Sequence, residues 1–510
     1  MRILTNAQMR AADKYTIEEK GIPSLTLMER AGAALAAEAE KLAPKGDILC
    51  LCGGGNNGGD GFVCARLLKE KGREVEVVCL ADKFSCDCTA NMKKWQAAGG
   101  DSLAQMPTKN YTLVIDCLFG TGFHGSICGK EKAAVERVNE MRKDGTKILS
   151  ADIPSGVNGD NGMVDGVAIC ADVTLCIGEV KAGVWLGDGV DYAGKIKRVD
   201  IGIELPEKQY AYLTERKTVK DLLPLRKRNS HKGTFGRAAI VGGGEEYTGA
   251  AYLAYASASA CLRSGAGYTA LFVPEKVLPF YALKSPEILL KSTNEGGRYA
   301  FNEEVMRGLL VYDGIAYGMG MGVSKEVFKG VEYLLSHYEG RLVLDADGLN
   351  SLARFGELEK VFANKKCDVI LTPHVKEFSR LSGLTIEEIV QDSLANAGRF
   401  AKKYNLTLLL KNAVSVITDG ERVVLNGAGN SGQAKGGSGD TLAGVIAGLC
   451  ACGLPAYESG VAGAYLVGKA AELAARDYGE YSLTASELIA YLPKAFLFVT
   501  EDTDEDCGDQ

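Results

Sequence analysis

Twice along this chain, short apolar runs alternate with helix-length amphipathic segments, and most runs end in a glycine-rich or carboxylate-bearing loop. No other feature constrains the fold as strongly. In the first half, strand patterns fall at 47–52, 74–80, 111–117, 146–151 and 172–177. Helical spacing falls at 6–20, 24–43, 59–71, 88–98 and 129–143. Leu25, Met28, Ala31, Leu35 and Ala39 share one helical face, and Ser24 after Pro23 is a suitable N-cap. The second half restarts at 238–242 and continues at 268–273, 311–317, 341–345, 368–372 and 406–411. A hairpin pattern, 414–418 and 421–426, then turns at Asp419-Gly420. Strands separated by helical segments make a mostly parallel sheet with helices on both faces, the α/β class. No short repeat is visible, and the halves are not copies. The polar passage Ile203–Ser230 separates them, so the expected domains are 1–215 and 216–500, with an acidic, disordered tail at 501–510.

Charge and cysteine usage exclude several function classes. The net charge is −7 and no basic block occurs, which argues against nucleic acid as a partner. Cysteines number 15, and many sit inside apolar runs such as DILCLC, VEVVCL and VIDCLF. No pair has C-x-x-C spacing, so buried reduced thiols are expected rather than a structural metal. The start, MRILTNAQMRAADKY, lacks a signal-type apolar core, and no apolar run reaches membrane length. A cytoplasmic protein without a membrane partner is expected.

In parallel α/β sheets, ligands bind beyond the carboxyl ends of the strands. Four first-half loops fall there: Gly53–Gly61 (GGGNNGGDG), Asp116 with Phe119–Ser126, Asp152–Gly156 and Gly178–Gly183. Asn56, Asn57 and Asp60 are too polar for a core, and Gly58, Gly59 and Gly61 permit close approach of a phosphate. Asp116 and Asp152 each close an apolar strand, as a helix cap or as a ligand for a cation or hydroxyl. Lys181 lies between two glycines after a strand. In the second half, Lys435–Gly444 (KGGSGDTLAG) bares its backbone and opens into an apolar helix, an anion trap by its free N–H groups and helix dipole. A carboxylate in such a trap, Asp440, makes sense if it exchanges a proton with a hydroxyl beside the phosphate. His374, after Pro373 at a strand end, and Lys411, ending a strand, complete the candidates.

These strings carry a resemblance. GGGNNGGDG, then D-x-x-F-G-T-G at Asp116–Gly122, then DIPSGV at Asp152–Val157 look like the NAD(P)H-hydrate epimerase family. HKGTFGRAAIVGG (His231–Gly243), LDADGLN, LTPHVKEF (Leu371–Phe378) and GGSGDTLAG resemble the ADP/ATP-dependent NAD(P)H-hydrate dehydratases. The resemblance spans nearly the whole chain, in the order of the fused bifunctional family. It implies a Rossmann-like three-layer α/β/α first domain and a ribokinase-like α/β second domain. The implied substrates are the 6-hydroxy hydrates of NADH and NADPH (NADHX and NADPHX), with ADP or ATP as co-substrate. The first domain would interconvert R and S epimers, and the second would dehydrate the S form. A homo-oligomer is expected.

Carried onto this sequence, the hydrate contacts of the first domain are Asn56, Asn57, Gly58, Gly59, Asp60, Gly120, Thr121, Gly122, Phe123, His124, Gly125, Ser126 and Asp152. A potassium ion is implied at Asn57, Asp116 and Ser155. Asp152 and Lys181 are candidates, from position alone, for the epimerase acid or base. In the second domain the implied hydrate contacts are Ala250, Gly320, His374 and Asp440. The nucleotide contacts are Lys411, Asn412, Ala413, Val414, Ser415 and Gly439. The family pattern has Lys-Gly where this chain has Lys411-Asn412. Asp440 is the expected base toward the ring hydroxyl, with Mg²⁺ bridging the nucleotide phosphates. The competing readings are a ribokinase-like small-molecule kinase fused to a nucleotide-binding module, and a first domain that binds without catalysing.

Overall fold

A computed structural model describes residues 1–206, 209–245, 248–282, 284 and 286–501. The tail expected beyond 501 therefore lies outside the described residues. The chain divides into two units, Met1–Ala211 and Tyr212–Gln510, just before the expected boundary.

The first unit contains β1 (Arg2–Leu4), β2 (Ile48–Cys52), β3 (Val75–Cys79), β4 (Ser102–Leu103), β5 (Leu113–Cys117), β6 (Lys147–Ala151), β7 (Val173–Ile177), β8 (Val180–Lys181) and β9 (Lys195–Val199). Its main sheet runs β4-β3-β2-β5-β6-β7-β9, every neighbour parallel. Both faces are buried, and residues alternate between them as the pleat requires. Ile48, Cys50 and Cys52 face Leu35, Phe62 and Trp95 from three helices. Leu49 and Leu51 face Ala134, Val135 and Val138 on the other side. Every described cysteine is a free thiol. β1 pairs with β8, Leu4 opposite Lys181, which holds the following helix, Asn6–Lys14, beside that strand.

β10 (Ala211–Leu213) spans the boundary. The second unit holds β11 (Arg237–Gly242), β12 (Tyr268–Val273), β13 (Leu289–Ser292), β14 (Gly314–Met319), β15 (Arg341–Leu344), β16 (Asp368–Leu371), β17 (Thr407–Leu410), β18 (Ser415–Thr418) and β19 (Val423–Asn426). The order is β13-β12-β11-β14-β15-β16-β17-β18-β19, parallel through β17 and antiparallel thereafter. The strand order reverses between β2 and β5 in one sheet and between β11 and β14 in the other. Those reversals open the crevices where ligands bind.

Three local expectations change. The first helix becomes a π-helical turn, Tyr15–Glu19, after Lys14. The strand expected at 311–317 runs Gly314–Met319. The string NNGGDG is not a loop: it forms the start of the helix Asn56–Glu70. Its glycines mark tight packing. A Cβ at Gly58 would collide with the Gly53 carbonyl, at Gly59 with Met28, and at Gly61 with Cys52 and Cys117.

The helix Ser438–Ala451 lies against the helix Thr248–Arg263, and Gly444 makes the approach possible, since a Cβ there would strike the Ser257 carbonyl. Gly444→Ala should therefore destabilise the second unit by about 1–3 kcal/mol, an overpacking cost. At Gly308, inside the helix Glu303–Leu309, nothing lies within 4 Å of an added Cβ. Gly308→Ala should be neutral or stabilising by about 0.5–1 kcal/mol. Denaturant midpoints of the two variants test the contrast. Equal midpoints would contradict it.

Candidate active sites

Beyond the β2/β5 reversal lies a cavity of about 910 Å³. Its wall includes Asn56, Asn57 and Asp60 from the first helical turns after β2, Gly120–His124 after β5, and Asp152 and Lys181. Gly58, Gly59, Gly125 and Ser126 are not on that wall: the first two are packing glycines, and Ser126 hydrogen-bonds Asp165. Phe119 and Phe123 pack with ring centroids 4.9 Å apart and planes tilted by 30°, beside the glycine loop.

Asp116, Ser155 and Asn57 form one connected network behind the wall. Asp116 is fully buried at the end of β5. Its carboxylate accepts from Ser150 Oγ at 2.9 Å, Ser155 N at 2.9 Å, Ser155 Oγ at 2.6 Å and Leu118 N at 3.2 Å. Burial pushes this carboxyl above its usual range, while the serine and backbone donors pull it back. Ser155 Oγ accepts from Phe119 N at 2.9 Å, and Asn57 Nδ2 donates to Phe119 O at 2.8 Å. Asn57 Oδ1 is buried with no hydrogen-bond partner.

Lys181 and Asp152 form a second network. Lys181 is 1% exposed. Its ammonium donates to Asp152 and to the Ile177 carbonyl at 2.7 Å. Asp152 also accepts from Ile177 N at 3.1 Å and holds φ at +70°, a left-handed conformation rare outside glycine. Two further carboxyls on the cavity wall, Asp13 and Asp60, have no hydrogen-bond or ion-pair partner among the described residues. Burial pushes Asp13 up to about 6, with Lys181 lowering it and Asp152 raising it. Burial and then Asp152 push Asp60 well above its ordinary value, against the pull of Lys181. Asp13 is missed by sequence reasoning because it sits in an amphipathic helix with no glycine or strand end to flag it.

Beyond the carboxyl ends of β15, β16 and β17 the second unit assembles a comparable set. Asp345, at the end of β15, is almost fully buried and accepts from Lys411 Nζ at 2.8 Å. The next residue, Ala346, has φ +48°. Asp347 accepts from Gly322 N at 2.8 Å, so the Gly318–Gly322 loop is tied to this turn. His374 caps the helix Val375–Ser382: its backbone N–H donates to Glu377 at 2.9 Å and its Nδ1 accepts from Glu377 N at 3.2 Å. His374 also bridges to Lys411 in register, which brings both expected contacts to one place. Burial and then Lys411 lower His374 below its ordinary value. Burial pulls Lys411 down, but Asp345, Glu377 and Asp440 outweigh it and leave the lysine raised.

Asp440 sits in the first turn of Ser438–Ala451, behind Gly437 at φ +96°. Burial and then Asp345 push it up to about 6, against the pull of Lys411. A Cβ on Gly439 would sit 3.2 Å from Lys411 Nζ, so the helix N-terminus and the lysine meet there. Gly320, at φ +63°, lies in the loop after β14. The Asn412 side chain accepts from Ala413 N at 3.0 Å and makes the bend where the family pattern has glycine. Ala413 is exposed, Val414 is buried, and Ser415 opens β18. Ala250 lies in the helix Thr248–Arg263, but its side chain is outside the described residues. Asp345, Asp347 and Glu377, absent from the sequence-based site, join it through the fold.

Residues 24–183 match the family model described as YjeF-related protein N-terminus, and residues 238–494 match the model described as NAD(P)H-hydrate dehydratase. The bifunctional NAD(P)H-hydrate repair enzyme of Moorella thermoacetica is 34% identical, over 99% of this chain and 98% of that protein. The corresponding Thermofilum pendens enzyme is 34% identical, over 98% of this chain and 97% of that protein. The ADP/ATP-dependent NAD(P)H-hydrate dehydratase of Bacillus subtilis, co-crystallized with ATP/Mg²⁺, superposes with a TM-score of 0.50 at 30% identity, covering 57% of this chain and 99% of that one. Two domains, each with its own strand-end site, matched in this order along the whole chain, place it: the protein belongs to the bifunctional NAD(P)H-hydrate repair enzymes.

Proposed function

We propose that the first unit interconverts the R and S epimers of NADH and NADPH hydrate, and that the second dehydrates the S form at the expense of ADP or ATP. The observation that carries the dehydratase reading is Asp440. Among the described residues its carboxylate has no hydrogen bond or ion pair from another residue, and it stands at a bared helix N-terminus beside Lys411. Hydroxide is a poor leaving group and phosphate a good one. Asp440 takes the proton of the C6 hydroxyl as that oxygen attacks the terminal phosphorus of the nucleotide. The N–H groups at Gly436–Gly439 and the Lys411 ammonium stabilise the charge on the migrating phosphoryl group. The lone pair of the ring nitrogen then expels phosphate and leaves a C6=N1 iminium, and transfer of a C5 proton to the departing phosphate restores the dihydronicotinamide.

The donor sets suit the two ions of this reading in different ways. Among the described residues no cluster of three or more His, Cys, Asp or Glu is arranged to hold a metal. Mg²⁺ therefore fits as an ion held by the nucleotide phosphates, where it supplies charge neutralisation. In the first unit the orphaned Asn57 Oδ1, Ser155 Oγ and the Asp116 carboxylate are hard oxygen donors suited to K⁺. Bound there, K⁺ would supply a fixed positive charge to the site. No helix is long and apolar enough to cross a membrane among the described residues. Free thiols at every described cysteine suit the reducing cytoplasm, where we place the reaction.

The reading is tested with mixed hydrate epimers, supplied with ADP or ATP, by recovery of dihydronicotinamide absorbance. Release of inorganic phosphate with that recovery is expected, whereas a stable phosphate ester would mark a kinase. Asp440→Asn should lower dehydration of the S form by about 100-fold or more, with epimerisation and folding intact. Because Asp440 is held at about 6 and acts ionised, wild-type kcat/KM for dehydration should fall as pH drops below about 6. The Asp440→Asn residual rate should lack that limb. Replacing K⁺ by a bulky organic cation should slow epimerisation, and Asn57→Leu should remove the dependence on K⁺. Epimerisation indifferent to K⁺ would remove the ion from the reading.

A further inference from the structure

The epimerisation assigned above leaves its proton-transfer group open, and this inference rests on that assignment. Asp152 and Lys181 are engaged with each other. The ammonium is committed to the Asp152 carboxylate and to the Ile177 carbonyl, and Lys181 is buried. Such a pair fixes a positive charge and a strained strand end, but leaves neither member free to take a proton from a ligand.

Asp13 differs on every count. It projects from the helix Asn6–Lys14 into the wall of the cavity. That helix is anchored beside the lysine by the β1–β8 pairing, Leu4 opposite Lys181, and by Asn6 N donating to Asp160 at 2.6 Å. The carboxylate of Asp13 has no protein partner among the described residues. Asp13 is half-buried, and a carboxyl drawn partly out of water without a partner is costly unless a ligand completes it. Lys181, Asp152 and Asp60 are the charged groups that act on it.

We propose that Asp13 is the catalytic group that moves the proton between the C6 hydroxyl oxygen and the ring nitrogen of the hydrate during epimerisation. The step balances without any co-reactant. The Asp13 carboxylate takes the hydroxyl proton while C6–O becomes a carbonyl. The C6–N bond breaks with its electron pair going to nitrogen, and Asp13 returns the proton to that nitrogen. Oxygen and nitrogen are bonded to the same carbon, so one carboxyl group reaches both. Rotation about the C5–C6 bond presents the other face of the aldehyde. The reverse steps then close the ring with the opposite configuration, and Asp13 ends as it began.

The residue's proton affinity suits the task, since a group held at about 6 is ionised at neutral pH yet basic enough to exchange. Asp60 shares that wall, and burial and then Asp152 raise it well above its ordinary value against the pull of Lys181.

The test uses the full chain with mixed hydrate epimers, excess nucleotide and absorbance recovery. The S form gives a fast phase, through the dehydratase. The R form gives a slow phase, limited by epimerisation. In Asp13→Asn the fast phase should be unchanged, and the slow phase should fall by about 100-fold or to the spontaneous rate. In wild type the slow phase should weaken below about pH 6, and that dependence should vanish in the variant. The melting temperature of Asp13→Asn should be equal or higher, because a raised carboxyl opposes folding above its pKa. A wild type whose slow phase does not exceed the spontaneous rate overturns the epimerase reading itself. A wild type that epimerises, beside an Asp13→Asn variant with the same slow phase, overturns this inference alone. A variant that loses the slow phase together with its melting temperature makes Asp13 structural and overturns it too.

Discussion

A lysine held by an aspartate at the mouth of a parallel sheet is the interaction on which both sites depend. Lys181 is tied to Asp152 in the first unit, and Lys411 to Asp345 in the second. An ammonium removed from water is expensive unless paired, so each lysine dictates a carboxylate at that strand end. The backbone follows. Of the three described non-glycine residues with positive φ, one is Asp152 and another is Ala346, next to Asp345. Left-handed backbone at an L-residue costs energy that only tight surroundings hold in place. In both units that strain sits where the aspartate turns toward its lysine.

The pairing governs the carboxyls around it. Burial alone would drive Asp13, Asp60 and Asp440 far up, and the neighbouring aspartates would drive them further. The lysines pull the other way. Asp13 and Asp440 come to rest near 6, within reach of proton exchange at neutral pH. The unit pays for this in stability. A carboxyl raised in the native state loses folding stability as the pH climbs from its unfolded value through its native one, so none of these three carboxyls stabilises the fold at neutral pH.

Much of the architecture is legible in the amino-acid sequence because both sheets are buried on both faces. Continuous apolar runs such as ILCLC and LVIDC admit no other reading once helices separate them. The strand-end sites follow from topology. What the sequence conceals is pairing across distance. Lys181 meets Asp152 across 29 residues, and Lys411 meets Asp345 across 66. No spacing rule connects them. Asp13 is concealed differently, since a single acid on a short amphipathic helix looks like a solvated face.

Glycine shows the same limit from the other side. NNGGDG and KGGSGDTLAG look alike as strings, each a glycine cluster with an aspartate before a helix. In the first, the glycines lie inside the helix and let it press on Gly53, Met28 and Cys117. In the second, Gly436 has nothing within 4 Å of its absent side chain, and Gly439 stands over Lys411. Bared amides need open space in front of them, whereas packing glycines need atoms there. The two strings place their aspartates at different depths, Asp60 past the first helical turn and Asp440 within it. Only Asp440 of the two therefore sits among the free N–H groups of its helix N-terminus. In the chemistry proposed above, that difference in depth separates a site that moves a phosphoryl group from one that needs only to move a proton.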